Sequence, residues 1–116
     1  MKVICLQENL EKTLLFINRV TAVKTQLPVT TSVLIKVIGK EIKFFGTDLE
    51  NTIETTVAGK TEKEGAILIP IKTLTEVINS LPKEQVVMEA EGLLLKITSG
   101  KNTLKINGIS SDEFPQ

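Results

Sequence analysis

The hydrophobic positions of this chain follow two periods, one helical and one strand-like, which alternate along the sequence. Apolar side chains recur every three or four positions over residues 8–22 and again over residues 71–81, which predicts two amphipathic helices. Alternating or short apolar runs predict eight strands, at about residues 1–6, 30–38, 41–46, 49–58, 66–69, 85–90, 93–99 and 101–107. The sequence therefore predicts an α+β fold.

The order of the predicted elements repeats. Each half contains a strand, a helix, a Leu-Pro dipeptide and three hairpin-linked strands, so residues 1–58 and 66–107 form a pseudo-repeat of two β-α-β-β-β units. Because a helix cannot leave its apolar stripe in water, we expect both helices to pack on one face of antiparallel sheets. Residues 59–65 are charged and bounded by glycines, and we expect them to form an exposed loop.

The other face of the predicted sheets should contact water. Charged residues alternate outwards along the strands at Lys43, Glu50, Glu54, Glu89, Lys96 and Lys105. The last strand, residues 101–107, should lie at a sheet edge, whose open N–H and C=O groups are a template for pairing with another chain. Its Leu104 and Ile106 are explained simply as core residues, and its lysines either block such pairing or complement an acidic partner.

Composition limits the classes of function. A length of 116 residues fits one domain over 1–116, and 41% hydrophobic with 24% charged residues is ordinary for a globular protein. The 14 basic and 14 acidic residues give a net charge of zero, which excludes the strongly basic footprint of a free-standing nucleic-acid binder. No apolar run approaches the ~20 residues of a membrane helix, and the apolar start is too short for a secretory signal. We therefore expect a cytoplasmic protein with no membrane partner.

Asp48 and Glu50 are the candidate carboxylate pair for a metal or for acid/base chemistry. The chain has no His and one Cys, and no third carboxylate lies nearby, so a local ligand set cannot be assembled. A turn at Gly46 to Asp48 between two strands explains the pair without chemistry, because Asp side chains accept hydrogen bonds from the backbone in turns. We expect no catalytic residue, no metal and no cofactor.

These residues also carry a family resemblance. The run Gly46-Thr47-Asp48-Leu49-Glu50 resembles the signature of the N-terminal domain of the bacterial DNA sliding clamp, the beta subunit of DNA polymerase III. Its surroundings agree in order and spacing across the whole chain: an opening Met-Lys strand, Leu27-Pro28, Pro70, Leu81-Pro82, Ser99-Gly100 and Glu113-Phe114-Pro115.

The resemblance implies a DNA-clamp-like fold and a processivity factor rather than an enzyme. In that family two three-domain subunits close head to tail around duplex DNA, with helices lining the hole and sheets outside, and the ring tethers the replicative polymerase. The implied DNA-facing residues are Lys24, Lys12, Arg19, Lys72 and Asn79. The implied subunit-contact residues are Lys101, Thr103, Leu104, Lys105, Ile106 and Thr73. Polymerase and clamp loader would bind through domains that this chain lacks.

The chain departs from the family pattern at three places. Ser32 replaces a common Asn, Val23-Lys24 replaces an Arg preceded by glycines, and the last strand is poorer in arginine. Two other classes of function stay open: a stand-alone interaction module without a DNA role, and a small hydrolase that uses Asp48 and Glu50.

Overall fold

The computed structural model describes residues 1–20, 32–47 and 52–113. Within these ranges the chain forms two α-helices, α1 (Gln7–Val20) and α2 (Ile71–Ser80), and a 3-10 turn at Ser111–Glu113. The strands are β1 (Lys2–Leu6), β2 (Ser32–Ile38), β3 (Glu41–Thr47), β4 (Thr52–Val57), β5 (Gly59–Lys63), β6 (Gly65–Pro70), β7 (Gln85–Glu91), β8 (Leu94–Ser99) and β9 (Asn102–Asn107). Lys24, Leu27-Pro28, Asp48 to Glu50 and Phe114-Pro115 lie outside the described residues.

Two antiparallel sheets divide the strands between them. Sheet A has the order β5-β1-β7-β8-β9, and sheet B has the order β4-β3-β2-β6. The first strand of each half lies in the sheet built by the other half, since β1 pairs with β7 and β6 pairs with β2. The predicted repeat of two β-α-β-β-β units is therefore present in the element order, with the first strands exchanged.

One hydrophobic core joins both sheets and both helices. Leu10, Leu14 and Ile17 of α1 are buried in it together with Leu74 and Ile78 of α2. The sheets contribute alternate residues, such as Val3 and Cys5 from β1 and Ile42 and Phe44 from β3. The helices thus cover one face of the sheets, which confirms the predicted α+β arrangement. Neither described helix is long and apolar enough to cross a membrane.

The expectation of an exposed loop over residues 59–65 was wrong. Residues Gly59–Lys63 form strand β5, which pairs antiparallel with β1 at the edge of sheet A, and the described residues therefore hold nine strands rather than eight. The pairing has an irregular register at Lys2 and Val3. Four of the five β5 residues are exposed, so this strand is held by its backbone and carries no hydrophobic pattern.

The outward face of the sheets is less polar than predicted. Lys43, Glu54, Glu89, Lys96 and Lys105 are exposed or half-exposed as expected, and Lys43 Nζ lies 2.7 Å from Glu54 Oε1, which raises the pKa of the lysine through this hydrogen bond and charge pair. Sheet B, however, also carries a second apolar cluster on its outward side, built from Leu34, Leu68, Phe45, Ala66 and Ile109.

The C-terminal segment 108–113 covers this second cluster. Ile109 and Leu68 exchange two backbone hydrogen bonds, of 3.2 and 2.8 Å, so the segment extends sheet B beyond β6 by one bridge. Gly108 approaches β6 closely, and a Cβ atom at this position would lie 2.7 Å from the Leu68 carbonyl oxygen. The contact joins positions far apart in sequence, which is why the strand pattern alone did not indicate it.

Candidate functional site

The two helices form one surface on the side of the molecule away from the outward sheet faces. Asn18 Nδ2 donates to the Leu14 carbonyl at 2.8 Å and to Thr75 Oγ1 at 3.1 Å, and so ties α1 to α2. Gln7 makes a second tie, because its buried Nε2 donates to the Ile78 carbonyl at 2.7 Å. Neither hydrogen bond between the helices could be predicted from the sequence, because the residues that it joins are far apart along the chain.

The four described DNA-facing candidates are all exposed on this helical surface. Lys12 and Arg19 lie seven positions apart on α1, and Lys72 and Asn79 lie seven positions apart on α2. A spacing of seven residues is about two helical turns, so each pair shares one side of its helix. The fifth candidate, Lys24, lies outside the described residues, and the role of all five stays a prediction.

The solvent side of α1 is not wholly polar. Leu15 is 52% exposed and Phe16 is 48% exposed, and both lie between Lys12 and Arg19. Glu8 is in the first turn, where a negative charge is favoured by the helix dipole, and Arg19 is in the last turn, where a positive charge is favoured. Both charges thus offset the helix dipole and stabilise α1.

Strand β9 lies at the edge of sheet A, as predicted. Its backbone is paired with β8 on one side, which leaves alternate N–H and C=O groups on the other side for a further strand. Leu104 and Ile106 point towards the helices, because they pair with the buried Ile97 and Leu95 of β8. Leu104 is 37% exposed, whereas Ile106 is 6% exposed.

The remaining subunit-contact candidates lie on β9, in the turn before it, or on the helix that packs against it. Lys101 is exposed in the turn before β9, and Thr103 and Lys105 are exposed on the outward face of this strand. Thr73 is exposed on α2, which packs against β9. The side chain of Ile106 belongs to the core, so this residue can offer a partner only its backbone.

The described residues hold no cluster of three or more His, Cys, Asp or Glu side chains that could bind a metal ion. Cys5 is 2% exposed, and burial raises the pKa of its thiol to about 11. The sulfur is therefore a protonated core group near neutral pH and a poor nucleophile or ligand. The carboxylates of Asp48 and Glu50 lie outside the described residues.

Comparison with known proteins agrees with this geometry. The model of the family described as DNA polymerase III beta subunit, N-terminal domain, matches residues 1–116. A beta sliding clamp of Synechococcus elongatus is 29% identical over 119 residues, which cover 100% of this chain and 32% of that protein. A beta sliding clamp of Bacillus subtilis is 27% identical over 101 residues, which cover 79% of this chain and 27% of that protein.

Solved structures give the same result for the fold. A DNA polymerase III beta subunit from Eubacterium rectale superposes with a TM-score of 0.94 at 30% identity, covering 100% of this chain and 32% of that one. The DNA polymerase III subunit beta from Pseudomonas aeruginosa superposes with a TM-score of 0.89 at 26% identity, with the same coverage. The chain thus spans about a third of the length of these relatives. Since the family model matches from the first residue to the last, the chain belongs to the DNA polymerase III beta subunit family and corresponds to its N-terminal domain.

Proposed function

We propose that this chain is the N-terminal domain of a ring-shaped sliding clamp, which encircles duplex DNA and tethers the replicative polymerase, and that it has no catalytic activity. The observation that carries the proposal is the family match over residues 1–116, together with relatives named beta sliding clamp of which the chain spans about a third. Polymerase and clamp loader would bind domains outside this chain. The site of action is the bacterial cytoplasm, where the DNA is.

The charge of the chain supports retention by topology rather than by tight binding. Affinity for duplex DNA grows with the number of phosphates that the protein neutralises, and a strongly basic surface would slow sliding. The helical surface offers a few separated cations, Lys12, Arg19 and Lys72, and the chain as a whole has zero net charge. Such a surface holds a duplex loosely, which suits a closed ring.

The open edge of β9 supports a head-to-tail contact between subunits. A strand from the neighbouring subunit would extend sheet A through backbone hydrogen bonds, and the half-exposed Leu104 would give the contact an apolar centre. The same edge would also serve the alternative function, a stand-alone interaction module. An open reading frame that continues for two further domains of this pattern supports the clamp, and one that stops at residue 116 supports the module.

A DNA retention assay tests the ring directly. The full-length subunit is loaded by its clamp loader on a nicked circular plasmid and separated from free protein by gel filtration. We expect it to stay on the circle and to be lost when the plasmid is cut once, because a ring slides off an end. Equal retention on circular and linear DNA would refute encirclement.

The position of Lys24 is tested in the same ring. Lys24→Ala should weaken retention mildly and reduce the slope of log affinity against log salt by about 0.9, the value for one lost phosphate contact. Lys36→Ala is the matched control, because Lys36 is exposed on the outward face of sheet B, opposite to the face that the helices cover. If the two variants showed the same salt dependence, Lys24 would not contact DNA.

A further inference from the structure

The outward face of sheet A carries a straight row of charges that the proposed clamp function does not use. The strand register places one residue from each of the five strands side by side: Lys63, Lys2, Glu89, Lys96 and Lys105. We call this set the lysine row. Residues paired in register across a sheet point to the same face, so Lys2, Glu89, Lys96 and Lys105 face outwards together, and Lys63 stands beside Lys2 at the irregular step of the β1–β5 pairing. The row is roughly 19 Å long at the usual strand spacing.

The row carries a net positive charge, because its one carboxylate, Glu89, stands opposite Lys2 and Lys96, whereas Lys63 and Lys105 have only a lysine opposite them. Lys2 stands directly opposite Lys63, and Lys96 stands directly opposite Lys105, and like charges in such positions destabilise a sheet. The ion pairs that the described residues form lie elsewhere, at Lys43 of sheet B. Lys60 adds a further positive charge beside the row, opposite Ile4. An anionic partner would therefore relieve repulsion that the fold itself creates.

Apolar side chains flank the row on both sides. On one side, Ile4 and Val87 pair with each other and are half-buried, and Leu6 beyond them is 45% exposed. On the other side, Leu94 forms part of a groove of about 180 Å³, whose other lining residues are Glu89, Glu91, Lys96 and Lys105. The cations thus stand between an apolar patch at Ile4, Val87 and Leu6 and the single apolar side chain of Leu94, which has Glu91 opposite it.

The chemistry of this face selects one class of partner. We propose that the outward face of sheet A binds an acidic protein segment that also carries apolar side chains, with carboxylates on the lysine row and an apolar side chain in the groove at Leu94. A nucleic-acid strand fits less well, because the face has no aromatic side chain for bases to stack on and no arginine. Phosphates would also gain nothing from the apolar side chains of Ile4, Val87 and Leu94.

Fluorescence anisotropy with the chain 1–116 tests the proposal. The probe is a labelled extended peptide with glutamates at alternate positions and a leucine at a further position on the same side, so that carboxylates and an apolar group meet the face together. We expect it to bind about tenfold more tightly than a glutamate–serine peptide of equal length and more tightly than a single-stranded oligonucleotide of equal charge. Equal affinity for either comparison probe would overturn the proposal.

Charge variants locate the binding on the row. Lys63→Glu with Lys96→Glu should weaken peptide binding about tenfold or more, whereas the control pair Lys36→Glu with Lys83→Glu changes net charge equally at exposed positions elsewhere and should have little effect. Glu89→Gln should tighten binding about twofold, since it removes the one acid of the row. Circular dichroism checks that each variant is folded. If the double glutamate variant of the row unfolds, Lys63→Gln with Lys96→Gln takes its place in the binding measurement. Equal losses in the row and control pairs would refute the assignment.

Discussion

Replacing Gly108 by alanine tests whether the C-terminal segment is part of the folded domain. The added Cβ would lie 2.7 Å from the Leu68 carbonyl oxygen and 2.9 Å from the Cδ1 and Cγ1 atoms of Ile67. Real Cβ atoms do not approach backbone oxygens so closely, and β6 is held by β2 on its other side. The segment must therefore move outwards rather than the strand.

The magnitude follows from what this movement breaks. Ile109 and Leu68 exchange hydrogen bonds of 2.8 and 3.2 Å, and each such bond contributes about 1 kcal/mol. The movement also uncovers the outer apolar cluster around Leu34 and Leu68. We expect Gly108→Ala to lower the free energy of unfolding by about 2–3 kcal/mol, within the usual range for overpacking.

Urea unfolding measures this loss, and amide hydrogen exchange at Leu68 and Ile109 locates it. Both amides should exchange faster in the variant, while amides of β8 keep their protection. Asn107→Ala is the matched control, because Asn107 is exposed one residue earlier and should change stability by less than about 0.5 kcal/mol. If Gly108→Ala were as stable as this control and the Leu68 amide exchanged at an unchanged rate, the packing of the C-terminal segment on β6 would not contribute to stability.

Two further predictions concern the core. Phe44→Ala should lower the free energy of unfolding by about 3–5 kcal/mol, because Phe44 is fully buried. Phe45→Ala should lower it clearly less, because Phe45 is half-buried on the outward face. Equal losses for the two variants in urea unfolding would contradict the assigned faces. Burial raises the pKa of Cys5 from 9.0 to about 11, so the folded chain holds this proton while the unfolded chain releases it. The stability from this group is complete below pH 9 and is lost as pH rises towards 11, by about 2–3 kcal/mol. Cys5→Ala should remove this part of the pH dependence, and identical slopes for parent and variant would contradict it.

The elements that bury a regular apolar stripe could be predicted from the sequence. Leu10, Leu14 and Ile17 fix the buried side of α1, and Leu74 and Ile78 fix that of α2, because a helix packed on a sheet repeats its core contacts every three or four residues. The edge position of β9 followed from its place as the last hairpin strand. The family resemblance supplied the candidate surfaces, which periodicity alone does not indicate.

The features that depend on non-local backbone contacts could not be predicted. Strand β5 has no apolar residue to reveal it, since its pairing with β1 needs only N–H and C=O groups. The backbone hydrogen bonds between Leu68 and Ile109 and the side-chain hydrogen bond from Asn18 to Thr75 likewise join distant segments. The exposure of Leu15 and Phe16 is different, because a helical wheel drawn from the three core residues of α1 would have found it.

The exchange of first strands between the two halves has a consequence for how the chain folds. Strand β1 is made first during synthesis, yet its neighbours β5 and β7 begin only at Gly59 and Gln85, so sheet A cannot form until most of the chain is available. Pairings between segments this distant close long loops, and they slow folding and make it cooperative. A cut near Glu64 would leave neither fragment with a complete sheet, but the two fragments mixed together should restore both sheets.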